Sequence, residues 1–114
     1  MTTAAVTLPA LLRAHAARRG DGVAIREKLH GIWQELTWAE YLARVTHLAL
    51  GLHELGLAEQ ETLAILADNR PEWLYAELAA QSLRALPLAL YPDMEDIEAL
   101  HHLLEFSEAV AVVA

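Results

Sequence analysis

The sequence predicts an α/β fold: a short parallel sheet with helical crossovers, preceded by an antiparallel hairpin. Two observations predict it. In the second half, the apolar runs 63–67, 86–90 and 109–114 alternate with two helical patterns, and near the start two alternating segments flank a glycine-containing loop. Apolar strands without two-residue alternation are typical of parallel strands buried on both faces and joined by right-handed crossovers.

The N-terminal part of the chain predicts a helix and then the hairpin. Leucines at helical spacing, with a proline suited to the first helical turn, indicate a helix over residues 9–19. Residues 23–28 and 32–37 then alternate in polarity on either side of His30-Gly31. This pattern predicts two strands joined by a short loop.

The next segment carries a strong helix-start signal. Thr37-Trp38-Ala39-Glu40 is a capping box, in which the threonine hydroxyl accepts from the third helical amide and the glutamate reaches back. An apolar stripe at three- and four-residue steps follows, and Gly56 suits a left-handed helix end. We therefore predict a helix over residues 38–55.

Two further helices separate the three apolar runs. Asp68 or Asn69 is expected to cap a helix over residues 71–84 that is buried on more than one side, and Asp93 or Asp96 is expected to start another. We expect the last run to be a central strand of a sheet that continues. The sequence would then be the N-terminal portion of a longer polypeptide, or a shortened form of one.

Length and composition exclude several classes of protein. The 114 residues suit one small domain, and we predict a single partial domain over residues 1–114. The net charge of −8 disfavours a general nucleic-acid binder, and the absence of cysteine excludes disulfides and thiolate chemistry. The acidic groups concentrate in residues 58–114, where we expect them on solvated helix faces rather than in a site that steers cations.

Targeting signals are weak. No window reaches the roughly 18 consecutive apolar residues of a transmembrane helix, and no basic residue precedes Arg13, so a signal peptide is not indicated. We predict a cytoplasmic location. Arg18 and Arg19, in an acid-free start, leave a mitochondrial transit peptide as the alternative.

The residues that could carry chemistry form no catalytic pattern. Neither a phosphate loop nor a dinucleotide fingerprint is present, the histidines are not spaced to share a metal ion, and neither Ser82 nor Ser107 lies in a nucleophile motif. The cluster Asp93-Met94-Glu95-Asp96 has the oxygen ligands of a divalent-cation site, but carboxylates ahead of a helix are more often caps. We therefore predict no catalytic, cofactor-binding or metal-binding residue.

Two features leave alternatives open. Trp33, Trp38 and Trp73 could form a stacking platform, but without a basic groove core packing is favoured. The turn Asp68-Asn69-Arg70-Pro71-Glu72-Trp73 follows a strand, where parallel sheets bind ligands. A helix cap, with Arg70 paired to a neighbouring carboxylate, is the favoured interpretation.

Four motifs in order resemble the first part of long-chain acyl-CoA synthetases, which belong to the AMP-binding, adenylate-forming superfamily. Residues 31–41 resemble its G-x-W-x-x-x-T-W-x-E-Y segment, 49–57 its glycine-containing helix end, 69–73 its N-R-P-E-W turn, and 90–109 its Y-P … S-E-A stretch. The likeness extends from about residue 8 to residue 114. The matching residues, expected to be structural, are Trp33, Thr37, Trp38, Tyr41, Asn69, Arg70, Pro71, Glu72, Trp73, Tyr91 and Pro92.

The resemblance implies an ATP-dependent ligase that forms an acyl-adenylate with Mg²⁺ and then an acyl-CoA. It also implies that the phosphate loop and the catalytic lysine lie outside these residues, so the chain alone would be inert and would bind no cofactor. ATP, Mg²⁺, coenzyme A and a fatty acid would belong to the full-length enzyme, which would be cytoplasmic or peripheral to a membrane. Its partner would be the rest of the same polypeptide.

The sequence departs from the family pattern at two places. Arg84 stands where a small residue is usual, and Asp93-Met94-Glu95 replaces a Thr/Ser-rich turn, which puts any role of that turn in doubt. A function of another class also remains open. An exposed sheet edge would let the chain act as a stand-alone interaction or regulatory module, or form homo-oligomers.

Overall fold

The computed structural model describes residues 7–66, 70–90 and 96–113, which form four helices and five strands. A two-stranded antiparallel sheet precedes a three-stranded parallel sheet, so the predicted α/β fold is confirmed. In chain order the elements are α1 (Leu8–Arg19), β1 (Val23–Leu29), β2 (Ile32–Thr37), α2 (Trp38–Glu54), β3 (Thr62–Leu66), α3 (Pro71–Ser82), β4 (Leu86–Leu90), α4 (Ile97–Ser107) and β5 (Ala109–Val113).

The hairpin turns at His30 and Gly31, as predicted. Both residues have positive φ angles, 52° and 78°, which matches the right-handed twist of the strands they join. Ile25 lies opposite Leu36, and both are half-buried against the core. The base of the hairpin is thereby fixed to the helices.

The capping box forms as the sequence predicts. The Thr37 hydroxyl accepts from the Glu40 amide at 3.1 Å, and a Glu40 carboxylate oxygen accepts from the Thr37 amide at 2.9 Å. These hydrogen bonds hold the pKa of Glu40 below its ordinary value. Helix α2 runs to Glu54, and Gly56 has the expected left-handed φ of 102°.

The parallel sheet has the order β4-β3-β5. Leu63, Ala64 and Ile65 in its central strand are fully buried. Leu63 and Ile65 belong to the core cluster formed with α1, α2 and α3, so Ala64 points to the opposite face. The crossovers through α3 and α4 run in opposite directions, and right-handed connections therefore place these helices on opposite faces.

Strand β5 lies at the edge of the described sheet, because the second crossover runs from β4 past β3 and pairs β5 with the other side of β3. Its central place in a sheet that continues stays a prediction. Another strand prediction is wrong for the described residues. Burial on both faces holds for β3 alone, since Val110 and Val112 on β5 are about half exposed. An apolar run identifies a strand, whereas its place in the sheet depends on the crossovers.

The start of α3 also differs from the prediction. Arg70 is the N-cap residue and makes no capping hydrogen bond through its side chain, while Asp68 and Asn69 lie outside the described residues. Pro71 at the first helical position has no N–H group that would need a cap. The helix ends at Ser82 rather than at Arg84, whose φ of 58° lies in the left-handed region that favours glycine.

The last helix begins where one of the two acidic candidates predicts. The Asp96 carboxylate accepts from the amides of Glu98 and Ala99 at 3.0 and 3.2 Å, which confirms a capping role for this residue. Residues 93–95 of the acidic cluster lie outside the described residues. Within the described chain, no helix is long and apolar enough to cross a membrane.

Candidate functional site

A row of four rings crosses the first three helices, and two of its members, Trp38 and Tyr41, belong to one family-like motif. The His15 and Trp38 rings are stacked with centroids 4.8 Å apart. Trp38 lies 6.2 Å from Tyr41, and Tyr41 lies 5.8 Å from Tyr75. The row therefore joins α1, the start of α2 and the start of α3.

Burial makes the two tyrosines of this row weak acids. Tyr41 is 8% exposed, and burial, with smaller effects of Glu77 and Tyr75, raises its pKa to about 12. The pKa of Tyr75 is also raised, chiefly by burial, although the nearby Arg44 opposes the shift. Both phenols therefore keep their protons at neutral pH.

The three tryptophans do not share one environment. Trp38 and Trp73 are partly buried and pack against the core, as predicted. Trp33 is 60% exposed on β2, and the Lys28 ammonium lies 5.9 Å from the centroid of its ring. The core prediction is therefore wrong for Trp33, and the described tryptophans form no common platform.

The polar turn before α3 is described only from Arg70 onward. Arg70 is exposed and forms no salt bridge with a described carboxylate, so the expected ion pair is absent from this part of the chain. Pro71 and Glu72 occupy the first turn of α3. Asn69, Tyr91 and Pro92 lie outside the described residues.

A cavity of about 200 Å³ lies between the hairpin and the first turns of α2 and α3, and we call it the hairpin pocket. It contains four carboxylates and one guanidinium, so its charge is negative. One wall includes Pro71 and Glu72 of the N-R-P-E-W turn. Its lining residues are Ile25, Glu27, Gln34, Glu35, Leu36, Glu40, Arg44, Pro71, Glu72 and Tyr75.

Sequence reasoning missed most of this pocket. Glu27, Arg44 and Tyr75 come from the hairpin, α2 and α3, and no spacing rule brings them together. Of these three residues, only Tyr75 carries a signal in the sequence. It lies within an apolar helical run, where an aromatic side chain is expected to face the core.

A larger groove of about 490 Å³ lies on the other side of α2. Its walls are mainly leucine, valine and alanine side chains of α1 and α2 together with the end of α3. Arg13 and His53 are the basic residues among those that line it.

Possible metal ligands are not grouped in the part of the chain that the structure describes. No three His, Asp or Glu side chains lie there in positions to share a metal ion. That the chain carries no catalytic, cofactor-binding or metal-binding residue stays a prediction.

Comparisons with known proteins agree on one family. A family model for AMP-binding enzymes matches residues 12–114. The chain is 40% identical over 81 residues to long-chain-fatty-acid–CoA ligase heimdall of Drosophila melanogaster, covering 71% of this chain and 12% of that protein. It is 28% identical over 106 residues to the chloroplastic long-chain-fatty-acid–[acyl-carrier-protein] ligase AEE15 of Arabidopsis thaliana, covering 93% of this chain and 14% of that protein.

The solved structures show the same relationship in the fold. A protein named as a long-chain-fatty-acid CoA ligase from Rhodopseudomonas palustris superposes with a TM-score of 0.82 and 26% identity, over 97% of this chain and 27% of that chain. The chain thus spans about an eighth of the length of the two curated relatives. Because the family model covers nearly all of its residues, the chain belongs to the AMP-binding enzyme family.

Proposed function

We propose that this chain is the N-terminal portion of an ATP-dependent long-chain fatty acid–CoA ligase and serves there as scaffold. The observation that carries the proposal is the 40% identity to a long-chain-fatty-acid–CoA ligase over 71% of the chain. The long-chain ligase structure at 26% identity supports the same substrate class. We propose a cytoplasmic location for this enzyme.

The proposed reaction has two steps. The fatty acid carboxylate attacks the α-phosphorus of ATP, which forms the acyl-adenylate and releases pyrophosphate. The thiolate of coenzyme A then attacks the acyl carbonyl and displaces AMP. Mg²⁺ would neutralise phosphate charge in the first step. That coenzyme A accepts the acyl group is part of the proposal, since one relative is named as a ligase for acyl-carrier protein instead.

The contribution of this chain would be structural. The row of rings joins α1, α2 and α3, and the core cluster packs these helices against the central strand β3. We propose that the chain alone is inert, because the resemblance implies that the phosphate loop and the catalytic lysine lie outside these residues.

Two measurements test the proposal. The isolated chain, mixed with ATP, Mg²⁺, coenzyme A and palmitate, should release no pyrophosphate, and turnover above the buffer control would contradict its inertness. A chimera of the Rhodopseudomonas ligase, carrying residues 12–114 of this chain in place of the matching segment, should form acyl-CoA. A folded chimera that binds ATP but makes no acyl-adenylate would contradict the scaffold role.

A second candidate function rests on the sheet edges. Strands β4 and β5 both lie at edges of the described sheet. Val110 and Val112 of β5 expose apolar surface at one of these edges. Such an edge favours association by strand addition. The alternative function is therefore a stand-alone interaction or regulatory module. Light scattering should then give a mass above that of the monomer, and a monomer at all concentrations would count against it.

A further inference from the structure

The turn end of the hairpin exposes three large apolar side chains. Ile32 is 64% exposed, Trp33 60% and Leu29 48%. Leu29 lies opposite Ile32 in the ladder, and Trp33 lies opposite Lys28. Because neighbouring pairs of a ladder point to opposite faces, the hairpin ends in a wedge that is apolar on both faces. We call residues 28–33 the hairpin tip. Clustered apolar exposure of this kind marks an interaction surface.

The hairpin tip projects away from the core. Ile25 and Leu36 at the base of the hairpin pack against the core cluster, whereas every residue from 28 to 35 is exposed. Since each strand residue advances about 3.3 Å, the turn at Gly31 lies roughly 20 Å beyond Ile25 along the strand. The tip is therefore a convex projection. A protein partner would need a matching cavity to cover it, whereas the lipids of a fluid bilayer rearrange around it.

The charge of the hairpin tip is opposite in sign to the net charge of −8 on the chain. The tip contains Lys28 and His30 and no carboxylate. Nearer the base, Arg26 and Glu35 neutralise each other in a salt bridge at 2.8 Å, and Glu27 lines the hairpin pocket. Charges are screened over about 8 Å at physiological ionic strength, so the tip responds to a nearby surface mainly through its own charges. The complementary surface is anionic.

The tryptophan and the lysine of the hairpin tip suit the boundary between water and lipid. The indole ring of Trp33 combines an apolar body with a polar N–H, and such rings concentrate where one end of the side chain is wet and the other apolar. The Lys28 ammonium lies 5.9 Å from the centroid of this ring. It can reach a lipid phosphate while its aliphatic stem stays on apolar surface. Basic residues beside tryptophan and leucine are typical of segments that lie in the interface.

We propose that the hairpin tip inserts into the interface of an anionic lipid bilayer. Leu29, Ile32 and Trp33 would lie at the boundary of the acyl chains, and Lys28 at the lipid phosphates. An apolar wedge this small gives weak and reversible membrane binding. The contact therefore agrees with the cytoplasmic location proposed above, and it does not depend on the proposed ligase activity.

The test is co-sedimentation of the 114-residue chain with lipid vesicles. One set of vesicles is an equimolar mixture of phosphatidylcholine and phosphatidylglycerol, and the other is phosphatidylcholine alone. The chain should bind the anionic vesicles about fivefold more tightly, the factor that one lysine near an anionic surface gives. No binding to the anionic vesicles, or equal binding to both sets, would overturn the proposal.

Substitutions locate the contact. Trp33→Ala and Ile32→Ser should each weaken binding to the anionic vesicles about tenfold, since each removes a large inserted side chain. Lys28→Gln should abolish the preference for anionic lipid. Phe106→Ser removes a side chain that is 80% exposed on α4 and should leave binding unchanged. Equal weakening by Phe106→Ser would show general adsorption of apolar surface and overturn the assignment. Circular dichroism melts identify any variant that fails to fold, and the surface change Lys28→Gln then decides.

Tryptophan fluorescence shows whether the ring of the hairpin tip enters the lipid. Anionic vesicles whose phosphatidylcholine carries bromine on its acyl chains should quench part of the emission, because bromine quenches an indole ring only at close range. Trp38 and Trp73 pack against the core, so the quenching should disappear in Trp33→Phe. Quenching that persists in Trp33→Phe would place the lipid contact elsewhere on the chain and overturn the proposal.

Discussion

Tyr41 on α2 and Tyr75 on α3 lie with ring centroids 5.8 Å apart, and both rings are buried. Their contact is the central link of the row that starts at His15. It brings the helix that begins at the capping box against the helix that begins at the N-R-P-E-W turn. Two rings that are 34 residues apart in the sequence (75 − 41) thus pack these two helices against each other.

The free energy of unfolding should depend on pH in a way that reflects the burial of the Tyr41 phenol. The pKa of Tyr41 is raised to about 12, so the unfolded chain ionises the phenol from about pH 10 while the folded chain keeps the proton. Stability that is present below pH 10 is therefore lost as the pH rises towards 12, by roughly 2 to 3 kcal/mol. Urea unfolding at pH 8, 10 and 11.5 measures this loss. Tyr41→Phe should flatten the curve, and an unchanged slope would contradict the assignment.

The capping box gives a prediction at the other end of the pH scale. Thr37→Ala should lower the free energy of unfolding by about 1 kcal/mol, whereas Thr37→Ser should keep most of it. The pKa of Glu40 is lowered by its hydrogen bonds to Thr37, so its contribution is present above its ordinary pKa and is lost as the pH falls through the lowered value. Glu40→Gln keeps a capping side chain and should remove this acid dependence. Urea melts at pH 3 and pH 7 compare the variants.

The tryptophans offer a matched pair. Trp73 packs against the core, and Trp73→Ala should cost about 2 to 4 kcal/mol, whereas exposed Trp33→Ala should cost less than about 1 kcal/mol. Both substitutions remove the same ring, so the difference reports burial. Similar losses in a urea melt would show that Trp33 is also buried in solution.

Local signals in the sequence predict local structure well. The capping box, the His30-Gly31 turn and the apolar runs each depend on neighbouring residues, and the structure contains the elements they predict. The position of β5 depends on which way a crossover turns, which no residue in that strand encodes. The hairpin pocket draws on three separate elements, so only the folded chain brings Glu27 and Tyr75 together.

Gly51 inside α2 and Gly56 just after its C-terminal end should respond in opposite ways to a methyl group. Gly51 lies inside α2, and a Cβ built there meets no atom within 4 Å, so Gly51→Ala should stabilise the chain by about 0.5 to 1 kcal/mol. Gly56 has a φ of 102°, which strains any L side chain, so Gly56→Ala should destabilise it by about 1 to 2 kcal/mol. Thermal melts of the two variants measure the difference. A stabilising Gly56→Ala would mean that the end of α2 does not adopt the left-handed conformation in solution.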